Sequence, residues 1–125
     1  AKLFQDAEGD WDGNLVIDFA SEANPDNSGM FYYDGASWNW MTNKDNIARM
    51  VTWNDGADKL AVDFGTADRG LWYYYDSTWH WMKNTYNVPE MIAWGSRLAV
   101  DFGTGVGIYN YDGTWNWMKN QSTAD

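Results

Sequence analysis

The side chains able to do chemistry in this sequence recur in threes. An aspartate stands directly before a phenylalanine at Asp18, Asp63 and Asp101. With one per repeat, nothing brings two carboxylates together on a single bond, as glycoside hydrolysis requires. Capping a turn, or accepting backbone N–H bonds, is the role they suit. The one histidine, His80, lies between Trp79 and Trp81, and its equivalents are Asn39 and Asn116. That position takes a small planar polar group, and no acid–base partner recurs beside it. There is no cysteine, so neither a disulfide nor a thiolate metal site can form. No phosphate-binding glycine loop or nucleophile–base arrangement occurs, and the Asp-Phe-Gly triplets lack every other kinase element. These residues predict a protein that is not an enzyme.

Two other groups could bind a ligand. Asp6, Glu8, Asp10, Asp12 and Asn14 place oxygen donors at alternating positions, with Gly9 and Gly13 allowing a tight loop. Hard cations such as Ca²⁺ take six to eight oxygens, and this loop offers four or five, with water to complete the shell. Calcium is thus the one cofactor expected, against the plainer reading of a solvated acidic turn. The second group is aromatic: 10 Trp, 8 Tyr and 5 Phe exceed what one core needs as filler. An indole or phenol beside Asp and Asn offers a flat apolar face with polar edges, the chemistry that grips a sugar ring. Trp38, Trp79 and Trp115, with Tyr33, Tyr74 and Tyr111 and with Asp34, Asp76 and Asp112, are the candidate carbohydrate-binding residues. The same surface could serve as a protein contact, since Trp and Tyr dominate interface hot spots.

These residues are held by a repeat of about forty residues. The stretch 59–82 reads KLAVDFGTADRGLWYYYDSTWHWM, returns at 97–118 as RLAVDFGTGVGIYNYDGTWNWM, and appears at 14–41 with a longer middle. Leu60, Val62 and Phe64 alternate with Ala61 and Asp63, as Leu98, Val100 and Phe102 do with Ala99 and Asp101 and Leu15, Ile17 and Phe19 with Val16 and Asp18. This is the period-two pattern of a strand with one buried face. Each repeat then runs from Gly through aromatics to a hairpin turn at Asp34-Gly35, Asp76-Ser77 or Asp112-Gly113. The returning strand carries Trp-x-Trp-Met, with both indoles on one face and Met41, Met82 or Met118 on the other. A further strand, 50–53 and 91–94, completes each unit, with Trp11 in the corresponding place of the first. No helical period is present. The expected fold is all-β: one domain, 1–125, of three tandem four-stranded antiparallel repeats at about 2–45, 46–87 and 88–125.

At 14.4 kDa the chain is sufficient for one domain. Its net charge of −10 repels phosphate backbones and anionic membranes, so nucleic acid is not expected as a partner. No apolar run is long enough to span a bilayer as a helix. A start at Ala1-Lys2, without Met, suits a mature chain cut from an exported precursor, so a secreted, extracellular or periplasmic location is expected.

Three such units fit a β-trefoil by number, or blades of a β-propeller by type. The string PEMIAWGSRLAVDFGTGVGIYNYDGTWNWM at 89–118 resembles the blades of tectonin and tachylectin-2-like propeller lectins. It is also similar to bacterial FG-GAP-type repeats, which combine an acidic calcium-type loop, a V-x-D-F-G strand and a G-L-W hairpin. The acidic loop is complete only in the first repeat. The resemblance implies β-propeller-like blades and glycan partners at several equivalent sites. The competing expectation is a structural or assembly protein whose aromatic surfaces are subunit contacts. Three blades leave two apolar faces open, so a homodimer closing six blades, or membership of a larger assembly, is expected.

Overall fold

The computed structural model describes residues 2–5, 13–19, 29–44, 47–65, 70–85 and 87–120, with the backbone alone at 2–5. Its strands, in chain order, are β1 (Lys2–Gln5), β2 (Leu15–Asp18), β3 (Met30–Tyr33), β4 (Trp38–Thr42), β5 (Arg49–Asn54), β6 (Asp58–Asp63), β7 (Leu71–Tyr75), β8 (Thr78–Lys83), β9 (Glu90–Trp94), β10 (Arg97–Asp101), β11 (Ile108–Tyr111) and β12 (Trp115–Lys119). Each consecutive set of four forms one antiparallel sheet whose strands neighbour one another in sequence order. The all-β repeat fold read from the sequence is therefore present. Among the described residues every strand ladder runs within one repeat.

The alternation of side chains decides how the sheets meet. In the second sheet Leu60 lies opposite Tyr74 and Tyr74 opposite Trp79, while Val62 lies opposite Trp72 and Trp72 opposite Trp81. These residues share one face, called here the near face. Trp53, Ala61, Leu71 and Met82 point the other way, on the far face. Val16, Met30 and Met41 of the first sheet pack against Met50, Leu60, Val62 and Tyr74 of the second. Trp53, Ala61, Leu71 and Met82 of the second pack against Met91, Leu98, Val100 and Tyr111 of the third. Both cores join a far face to the next near face. Each fully buried Leu, Val or Met stabilises the stack by about 1.5–3 kcal/mol.

A bulge recurs at the same place in every sheet, at Met30/Phe31, Leu71/Trp72 and Ile108/Tyr109. The extra residue on the opposite strand is Met41, Met82 or Met118, which explains the invariable Met after each Trp-x-Trp. The glycine before each bulge is a close approach. Gly107 has φ +109°, and a Cβ there would lie 2.7 Å from the Lys119 carbonyl oxygen. At Gly29, φ +94°, it would overlap the Thr42 carbonyl oxygen.

The recurring aspartates tie one repeat to the next. Asp63, fully buried, accepts N–H bonds from Gly65 (2.8 Å), Asn87 (3.0 Å) and Val88 (2.8 Å). It thereby fixes the chain leading into β9. Asp18, equally buried, accepts from Ile47 N–H at 3.2 Å and holds the lead-in to β5. Both carboxylates accept backbone N–H bonds across the junction between repeats.

Two local expectations are corrected. The register of β1 sets Lys2 opposite Asp18, as Arg49 is opposite Asp63 and Glu90 opposite Asp101. The first strand of the first repeat therefore lies ahead of the acidic segment and does not include Trp11, which is outside the described residues. Asp34-Gly35 and Asp112-Gly113 are not two-residue turns, since β3 ends at Tyr33 and β4 begins at Trp38, while β11 ends at Tyr111 and β12 begins at Trp115. Each Asp carboxylate bonds amides of its own loop and holds it wider. Asp76-Ser77 is the two-residue turn, with φ +54° and +60°.

Candidate functional site

The strand carrying Trp-x-Trp is the outer edge of each sheet (β4, β8 and β12), and its two indoles have different surroundings. The first indole enters the stack. Trp79 Nε1 donates to the Met41 carbonyl at 2.9 Å, and Trp115 Nε1 to the Met82 carbonyl at 3.0 Å. The bulge turns these Met carbonyls out of their own ladder toward the next sheet. Trp79 packs edge-on to Phe64 and Tyr74, and Trp115 against Phe102 and Tyr111. Tyr74 and Tyr111 are themselves buried, and burial pushes both hydroxyls above their ordinary pKa of 10.0. Of the sugar-site candidates, Trp79, Trp115, Tyr74 and Tyr111 thus join sheet to sheet. Trp38 and Tyr33, the first-sheet equivalents, touch each other at 4.9 Å between ring centroids on a near face with no sheet before it.

Asp34 Oδ1 accepts from Ser37 N–H (2.8 Å) and Ala36 N–H (2.9 Å). Asp112 Oδ1 accepts from both the N–H and the hydroxyl of Thr114, at 3.1 Å each. The Ser37 and Ala36 amides hold the Asp34 carboxyl below its ordinary value, and the Thr114 amide and hydroxyl do the same for Asp112. Both aspartates order their loops. Asp76 lines a cleft of about 310 Å³ between the first and second sheets, with Asn14, Tyr32, Asp58, Tyr74 and Ser77 around it.

The second indole of each pair is the feature that sequence reasoning missed. Trp40, Trp81 and Trp117 are each 58% exposed. Each lies opposite an aromatic residue on the neighbouring strand, namely Phe31, Trp72 and Tyr109. Trp40 Nε1 donates to Asn43 Oδ1 at 3.0 Å, and Trp117 Nε1 to Asn120 Oδ1 at 3.2 Å. The indole edge is thereby anchored while its face remains open to solvent. Period two places both indoles on one face, and only the reach of the adjacent sheet separates them. The equivalent spacing Trp40–Asn43 and Trp117–Asn120 was the available signal.

His80 stacks on Tyr73 at 4.7 Å and 15° and contributes to sheet packing. The proposed calcium ligands Asp6, Glu8, Asp10 and Asp12 lie outside the described residues, and Asn14 is at the cleft. No group of three or more His, Asp or Glu side chains able to hold a metal ion occurs among the described residues. No family model, curated protein or solved structure matches this chain.

Proposed function

We propose that the chain is a non-enzymatic, multivalent carbohydrate-binding domain whose sugar platforms are Trp40, Trp81 and Trp117. The observation that carries this reading is their equal exposure. The first indole of each pair changes environment with its place in the stack, but the second stays at 58% in all three repeats. An indole used as core filler would follow its neighbours. An open, edge-anchored indole suits the C–H face of a sugar ring, with Asn43 and Asn120 nearby to meet hydroxyls. The net charge of −10 disfavours sialylated or sulfated glycans, so the partners are neutral glycans, met outside the cell. Three weak equal sites gain strength by avidity on a dense surface.

Titration with neutral oligosaccharides, read by tryptophan fluorescence, tests the reading. Each of Trp40→Ala, Trp81→Ala and Trp117→Ala removes about a third of the binding capacity of a glycan-coated surface, as three independent equal sites require. The triple variant removes it all with the circular dichroism unchanged. Full binding by the triple variant overturns the assignment.

An assembly role is favoured by a separate observation, the exposed indoles on the two end faces of the stack.

A further inference from the structure

Both sheet-to-sheet contacts among the described residues use one geometry, and beyond the first and third sheets the described residues provide no further sheet. Equivalent residues serve as internal controls for what is missing. Trp94 is 52% exposed where its counterpart Trp53 is 4% exposed, and Met118 is 42% exposed where Met41 and Met82 are 3% and 4%. Ile92 is exposed where Val51 is half-buried, and on the opposite end of the stack Trp38 is exposed where Trp79 and Trp115 are half-buried. The polar groups follow the same pattern. Asp18 and Asp63 hold the lead-in to the next repeat, whereas Asp101, among the described residues, accepts only from Gly103 N–H at 2.8 Å. Trp94, Ile92, Met118 and Trp38, the large apolar side chains more exposed than their equivalents, lie at the far face of the third sheet and the near face of the first.

We propose that the far face of the third sheet docks on the near face of the first sheet of a second copy of this chain. The internal interfaces define the contact. The Trp38 indole nitrogen donates to the Met118 carbonyl of the other copy, as Trp79 does to Met41 and Trp115 to Met82. Trp94 packs on the other copy's Tyr33, as Trp53 packs edge-on to Tyr111 at 6.4 Å. Where Tyr32 and Tyr73 stand on the inner far faces, the third sheet has Asn110. Asn110 is buried, its amide oxygen taken by Arg97 Nη1 (2.8 Å) and Asn116 Nδ2 (3.2 Å), so the contact rests on the apolar residues around it.

A second copy is the occupant because the two open faces complement each other and not themselves. Near face on near face would set Trp38 against Trp38, with no bulged Met carbonyl to accept its N–H. Closed rings of four-stranded blades usually hold four to eight. With three sheets per copy the only multiple in that range is six, so two copies close the ring through two identical head-to-tail contacts. Each copy carries −10, so repulsion opposes pairing and salt strengthens it.

Light scattering of the whole chain at low micromolar concentration tests the contact. The expected mass is about 29 kDa, twice the 14.4 kDa chain, rising in occupancy with ionic strength. Trp38→Glu and Trp94→Glu each give a 14.4 kDa species with unchanged circular dichroism, and Ile92→Lys does the same if Trp94→Glu misfolds. Mixing the Trp38→Glu and Trp94→Glu proteins restores one intact contact and returns a two-chain species. A wild-type monomer overturns the proposal, as does a dimer that survives both Trp94→Glu and Ile92→Lys. Dissociation by only one of the two end-face variants indicates like-on-like pairing and also overturns it, and masses above two chains overturn the closed ring.

Discussion

Trp79 of one sheet and Met41 of the preceding sheet are joined by a single indole-to-carbonyl bond of 2.9 Å. The bond depends on a bulge in one sheet and an aromatic hairpin in the next, so two separate motifs of the repeat act as one device. Trp79→Ala removes both the bond and the ring wedged against Phe64 and Tyr74, and costs about 3 kcal/mol. Trp40→Ala, two residues from the equivalent Trp38 and exposed, stays within about 0.5 kcal/mol. Urea unfolding, with midpoints compared at unchanged slope, distinguishes the two. Equal losses would mean that the indoles are not divided between stack and solvent.

Asp63 offers a second comparison inside the chain. Asp63→Asn replaces an acceptor of three N–H bonds with a group whose amide must face those donors, at a cost of about 3 kcal/mol. Asp101→Asn disturbs one such bond and costs about 1 kcal/mol. The measurement is thermal unfolding in the monomeric Trp94→Glu background, which removes any contribution from pairing. A loss at Asp101 as large as at Asp63 would show that the carboxylate acts within its own repeat.

The tight turn of the second sheet can be improved. Asp76 and Ser77 both have positive φ, which costs a side chain more than it costs glycine. The double substitution Asp76→Asn with Ser77→Gly matches the two-residue hairpin preference and raises stability by about 1 kcal/mol. A lower melting temperature in the double variant would mean that the Ser77 hydroxyl's contact with Tyr74 outweighs the backbone strain.

The sequence carried the parts of this fold that are local and repeated. Period two at Leu60, Val62 and Phe64 located the strand, and the recurrence of Asp18, Asp63 and Asp101 pointed to backbone acceptance. What it did not carry is set by neighbours. Trp38 and Trp40 are indistinguishable by alternation, and only the reach of a preceding sheet sends the first of each pair into the stack. The strand β1 was missed because Lys2–Gln5 is short and Trp11 offered a better match to Trp53 and Trp94 by type. Asp34-Gly35 reads as a hairpin turn because the dipeptide is the usual marker. Its carboxylate instead spends its lone pairs on Ala36 and Ser37.

The loop carboxylates make the last prediction, about acid. Asp34 and Asp112 are exposed, and their pKa is depressed below the ordinary 3.8 chiefly by N–H donors of their own loops, Ser37 and Ala36 for one and Thr114 for the other. A carboxyl whose folded pKa lies below its unfolded value stabilises the folded state most fully above the unfolded value. That stabilisation is lost as the pH falls through the folded one. The window therefore lies below about pH 4. Carbon-13 titration of the aspartate carboxyls should show both midpoints below 3.8. Asp34→Ala and Asp112→Ala should each flatten the acid limb of the stability profile while leaving its neutral-pH shape unchanged. Because backbone N–H groups hold the Asp34 carboxylate and, among the described residues, no cation is one of its partners, added salt should leave its midpoint in place. The Asp112 midpoint, with Arg97 at 3.6 Å as its weakest contributor, should rise only slightly. A midpoint for Asp34 that climbs to its ordinary value in salt would mean that the loop amides do not hold it.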